Sequence, residues 1–191
     1  MANRDIKSGA TYYGNLDGSY APQFLECEFA AADTVAAFIG DFVKLTGESS
    51  ADGKRPIVAQ CATTDAPVGV LESVEPDFAN ESFNKTHHLA STLQKCNVIV
   101  NPDAIFSIKE DSADGSVAAG SVGLNTNFVV AAGDATTGMS GMELDSSAVN
   151  TTAALDLQIL RLNPKVGNAI GTDAEWLVTI NTNTLRSTTG N

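Results

Sequence analysis

Apolar residues in this chain come in short runs closed by Gly, Asp, Asn or Pro, and nowhere do they recur at i, i+3, i+4 and i+7 over three turns. A chain patterned this way cannot lay an amphipathic helix on a core, but it can lay strands. Residues 24–29 and 37–45 form the first two runs. Ser49 to Lys54 then carries Asp52-Gly53, a hairpin signal. The runs continue at 57–62, 67–74, 97–100, 104–109, 127–131, 155–162 and 176–181. Alternation slips at Leu71, which predicts a β-bulge, and changes phase at Leu160. Runs 8–15 residues apart with turns between them predict an all-β fold, an antiparallel β-sandwich or barrel of jelly-roll-like type. Helix is confined to single turns at 31–36, 80–84 and 140–144. Phe38, Phe42, Val70, Ile99, Phe106, Phe128, Leu157, Trp176 and Val178 make up most of the expected core.

At 191 residues the chain fits one domain, and a hydrophobic share of 43% is enough to build a core. Eleven Lys+Arg against 23 Asp+Glu leave a formal charge of −12. No basic stripe is available to displace counterions from phosphates, so nucleic acid is not an expected partner. No apolar run approaches the ~18 residues of a membrane span, so a membrane is not expected either. Met1 to Asp5 lacks the apolar stretch of a signal peptide. Cys27, Cys61 and Cys96 are an odd number at wide spacing, which suits neither a disulfide framework nor a zinc site. They read as small buried thiols, with one disulfide plus a leftover thiol as the alternative.

No segment assembles a catalytic, metal or cofactor site. His87 and His88 are adjacent, and in a strand their rings point to opposite faces, so they cannot grip one ion together. Glu72, Glu75 and Asp77 read as solvated carboxylates rather than a glycosidase pair. Asp111 to Gly115 lacks the ligand spacing of a calcium loop and reads as a turn. Gly138-Met139-Ser140-Gly141 misses the spacing of a nucleophile elbow.

Residues 1–22 differ from the rest. They hold Gly9, Gly14 and Gly18 together with Tyr12, Tyr13 and Tyr20, without sustained alternation. They read as an extended N-terminal arm preceding a single β-rich domain over 23–191, with the three tyrosines as contact residues that dock on a neighbour or on the body itself; the alternative is a loosely packed N-terminus lying on its own domain.

Several segments together resemble a family of small structural proteins of tailed bacteriophages encoded among the head genes. They are Phe38 to Leu45, Val58-Ala59-Gln60, Pro67 to Asp77, Ser140 to Asp145, Thr151 to Leu155, Asn168 to Gly171 and Glu175 to Asn181. The Gly40-to-Leu45 strand followed by Pro67-Val68-Gly69-Val70 is also similar to phage capsid cement proteins, although this chain is longer than those compact barrels. The resemblance implies a non-enzymatic virion structural protein with no cofactor, made in the host cytoplasm and placed on the capsid surface. It further implies the major capsid protein as partner and self-association, with a trimer favoured. The competing reading is a phage tail, adhesion or receptor-binding β module, for which 6% aromatic content leaves little material. A β-sandwich hydrolase would need a carboxylate pair in a cleft.

Overall fold

In the computed structural model, residues 3–76 and 86–186 are described. The apolar runs become β1 (Thr11–Asn15), β2 (Phe24–Phe29), β3 (Phe42–Ser49), β4 (Pro56–Gln60), β5 (Gly69–Val74) and β6 (Gln94–Ile99). They continue as β7 (Ala104–Lys109), β8 (Asn125–Thr126), β9 (Phe128–Val129), β10 (Glu143–Leu144), β11 (Leu157–Leu162) and β12 (Glu175–Ile180). The described residues contain no α-helix, only 3-10 turns at Ala119–Ser121 and Thr184–Arg186. The all-β antiparallel architecture therefore holds.

The fold has two stacked parts. Strands β2, β4, β3, β5 and β6 close into a barrel in that order. Its pairings are antiparallel except the seam between β2 and β4, which is parallel and matches only Glu28 with Ile57 and Phe29 with Val58. A five-stranded barrel has a narrow lumen, so its filling is mostly small: Cys27, Ala37, Val43, Val58, Val68, Cys96 and Val98, with Phe29 and Leu71 as larger members. The second part is an open antiparallel sheet ordered β1-β7-β12-β11-β8, flanked by the β9–β10 pair.

The larger core lies between the two parts. Phe42, Cys61, Val70 and Ile99 come from the barrel, and Phe106, Ile108, Leu157, Ile159, Trp176 and Val178 come from the sheet. Phe128, Met142 and Leu144 complete it from the β9–β10 side. Phe42 stands edge-on to Phe106 with ring centroids 6.5 Å apart and lies 4.8 Å from Phe128. One aromatic thus joins the barrel, the open sheet and the β9–β10 pair. Every expected core residue is in this cluster except Phe38, which is half-buried, stacked on His87 at 4.6 Å, over Gly133, where a Cβ would collide with its ring. All three cysteines are buried and free.

Both slips in alternation are register shifts. One falls between Leu71 and Ser73 where β5 meets β6, the other between Ile159 and Arg161 where β11 meets β12. The Asp52-Gly53 turn does join two antiparallel strands, β3 and β4. Other expectations need correcting. The run 37–45 is not one strand: Gly40 sits at φ +93° and breaks it, leaving Ala37 and Ile39 in isolated bridges to His88 and Met139. Residues 31–36 form turns and bends, while 140–144 is extended and ends in β10. The third helical candidate, 80–84, lies outside the described residues.

The segment read as an arm is extended, but part of it belongs to the body. Thr11 to Asn15 form the edge strand β1, paired antiparallel with β7. The physical reason is Tyr12, whose ring meets Phe106 edge-on at 6.3 Å and covers a core flank that alternation alone does not reveal.

Candidate interaction surface

The N-terminal residues run across their own domain as a strap. Asn3 donates through Nδ2 to the carbonyls of Ala169 and Thr172, both at 2.8 Å, and accepts from the Ala169 amide at 3.0 Å. The Asp5 carboxylate pairs with Lys109. The Lys7 ammonium donates to the Ala132 carbonyl at 2.7 Å, and the Ala10 amide to Gly40 at 2.9 Å. Lys109 is buried and surrounded by Asp5, Glu143 at 2.7 Å and Asp173 at 3.3 Å. Burial disfavours its charge, but hydrogen bonds to Asp5 and Glu143 outweigh that and raise its pKa. The ammonium therefore stays charged, and it holds Asp5 below the ordinary carboxylate range.

The three tyrosines consequently have different roles. Tyr12 is packed against the core. Tyr13 lines a groove between the strap and the sheet, with Arg4, Ile6, Lys109, Asn163 and Glu175. Tyr20 is 77% exposed. It lies in the connection from β1 to β2, which runs beside the connection from β6 to β7. The Leu16 amide donates to the Asp103 carbonyl at 2.9 Å, the Asn101 side chain to Asn15 Oδ1 at 2.7 Å, and the Val100 amide to the Gln23 carbonyl at 3.0 Å. The last described turn reaches the same end, where Arg186 pairs with Asp103. Three separate stretches thus bring Leu16, Tyr20, Phe24 and Leu185 to one end of the molecule, each about half exposed or more.

Exposed single apolar residues are ordinary on any protein, but several gathered at one end on hydrogen-bonded connections form a surface that a partner can cover. The charges around it are mainly acidic: Asp17, Glu26 and Asp103, against Arg55, which bonds Glu26 at 2.7 Å, and Arg186. Backbone and side-chain hydrogen bonds from Ser19 hold the Asp17 carboxyl below its usual range. Of these four, only Tyr20 stands out in the sequence; the grouping with Leu16, Phe24 and Leu185 depends on the tertiary path.

The remaining polar residues hold structure. His88 stacks on Phe29 at 4.0 Å and His87 on Phe38 at 4.6 Å, so the two rings occupy separate environments. Among the described residues no group of three or more His, Cys, Asp or Glu is placed to hold a metal ion. Glu72 and Glu75 are exposed, and Asp77 lies outside the described residues. Asp111 accepts from the Ser146 amide at 3.0 Å and its hydroxyl at 2.7 Å, tying one turn to another. Glu110 is fully buried; its Oε2 accepts from Trp176 Nε1 and from the Val117 amide, both at 2.9 Å. Desolvation raises its pKa despite these bonds. No described helix is long and apolar enough to cross a membrane. No family model, curated protein or solved structure matches this chain.

Proposed function

We propose that the chain is a non-enzymatic virion structural protein that decorates and stabilises a phage capsid by bridging neighbouring major capsid subunits. It acts on the capsid surface as a homo-oligomer, with a trimer favoured. The observation that carries this reading beyond the resemblance is the end surface of Leu16, Tyr20, Phe24 and Leu185. Aromatic and aliphatic side chains on hydrogen-bonded connections lose little further entropy on docking, which suits them as anchors. A net charge of −12 keeps free copies soluble and repels the packaged DNA. The strap suits a protein that must remain folded on an expanded shell under internal pressure, since hydrogen bonds tie residues 3–10 to several parts of their own domain.

The test incubates purified protein with expanded heads lacking it, followed by sedimentation and quantification. Wild-type protein should co-sediment. A variant carrying Leu16→Ser, Tyr20→Ser and Phe24→Ser should lose at least about tenfold in affinity, because removing interfacial anchors costs 1–2 kcal/mol or more. Its melting temperature should be nearly unchanged. Equal binding by the variant removes this surface from the mechanism. Recovery on tails instead of heads establishes the tail reading.

A further inference from the structure

Cys27 and Cys96 are directly opposite one another on the paired strands β2 and β6. Both side chains point into the barrel lumen and are fully buried there. The ladder fixes their geometry. Gln23 and Val100 form a hydrogen-bonded pair through the Val100 amide, at the end of the same register. Hydrogen-bonded pairs alternate along an antiparallel ladder, so Leu25 with Val98 and then Cys27 with Cys96 are also of that type. Opposed Cα atoms in such a pair are ~5.5 Å apart, inside the range a disulfide spans.

We propose that Cys27 and Cys96 form a latent disulfide that closes covalently around the barrel when the protein meets an oxidising, disulfide-containing medium. The location gives the bond its effect. The chain from Cys27 to Cys96 contains β3, β4 and β5 and reaches into both β2 and β6. One bond would therefore enclose the barrel strands in a single loop. It would also pin β2, whose other neighbour in the barrel is the short parallel seam with β4. Cys61 has no part in this, since it belongs to the other core, between barrel and sheet.

The chemistry needs a small disulfide, such as glutathione disulfide, as oxidant. One protein thiol loses its proton and the thiolate attacks the glutathione disulfide. A mixed disulfide forms and one glutathione thiolate leaves. The second protein thiolate then attacks the protein sulfur of that mixed disulfide and expels the second glutathione thiolate. The two protons lost by the protein are taken up by the two leaving thiolates. The protein is oxidised by two electrons, and the glutathione disulfide is reduced to two thiols. Burial pushes the Cys27 thiol up to about 12 and raises Cys96 too, so the reaction waits on opening of the barrel and is slow in the native state.

The test treats the full chain with glutathione disulfide, at neutral pH and again in urea just below the unfolding transition. Expected are an intact mass lower by two hydrogens, a protease map joining the Cys27 and Cys96 peptides, and Cys61 still open to alkylation. The oxidised protein should melt on the order of 10 °C higher, and dithiothreitol should reverse the shift. Cys27→Ser and Cys96→Ser should each abolish the mass loss, and Cys61→Ser should not. No mass loss even in the urea arm, a linkage involving Cys61, or a persistent glutathione adduct on Cys27 or Cys96 would each overturn the proposal. The proposal is independent of the capsid reading, because no measurement in it involves heads.

Discussion

At the scale of single residues, the junction between barrel and sheet depends on a few large side chains with defined polar partners. Trp176 fills the centre of the larger core, and its indole N–H is received by the buried Glu110. Trp176→Ala removes the ring and one of the hydrogen bonds to Glu110, so it should cost about 3–5 kcal/mol, read as a lower urea midpoint. Phe106→Ala should fall in the same range, because Phe106 packs against both Tyr12 and Phe42. Glu110 makes a separate prediction about pH. Its folded pKa is raised above the ordinary 4.5, so the folded state binds this proton more tightly than the unfolded state. Glu110 therefore favours folding most below about pH 4.5, and that contribution is lost as pH rises through the folded value. Glu110→Gln removes this dependence and should gain stability relative to wild type as pH increases from 4.5 upward, in paired urea titrations. A wild-type-minus-variant difference independent of pH would show that Glu110 is ionised in the fold at no cost.

At the scale of elements, the sequence was most readable where one strand face is apolar and the other is not. The run 104–109 coincides with β7, where burial alternates over the first four residues, and 24–29 coincides with β2, although there Phe24 is exposed and Glu28 is buried. The slips at Leu71 and Leu160 were visible for the same reason, since an extra residue reverses the alternation. The barrel lumen was readable only in its buried Cys27 and Cys96; Ala37, Val58 and Val68 are too small to stand out from ordinary strand residues. The strand β1 was not readable, since its stretch contains Gly14 and a register shift and its place depends on Tyr12 reaching Phe106. Two element-level predictions follow from this packing. Deleting residues 1–15 should lower stability by about 2–4 kcal/mol through lost ladder bonds and the lost Tyr12 contact, and should speed amide exchange along β7. Unchanged exchange there would mean that β1 is not part of the sheet in solution. At Gly69 a Cβ would lie 2.0 Å from the Ile99 carbonyl oxygen, an immovable backbone atom, so Gly69→Ala should destabilise the barrel by about 3 kcal/mol or more.

At the scale of the whole molecule, the candidate surface was legible only in part. Tyr20 stood out as an aromatic in a segment with little alternation. The neighbouring Leu16, Phe24 and Leu185 become a surface only because the connections β1–β2 and β6–β7 and the turn at Thr184–Arg186 meet at one end. Tyr12 and Tyr13 looked equivalent to Tyr20 in sequence and are spent on the core and on the groove beneath the strap. In the proposed role, a barrel-and-sheet body with an apolar end and an acidic surface would dock repeatedly on a lattice of identical subunits, where each copy meets the same neighbours. The most direct test of the proposed decoration role is the copy number of this chain in virions purified from a phage carrying its coding sequence, measured by quantitative mass spectrometry against the major capsid protein. A decoration protein should be present on the order of hundreds of copies per particle, in fixed ratio to the capsid subunit. A handful of copies confined to tails, or none in the particle, would contradict the account.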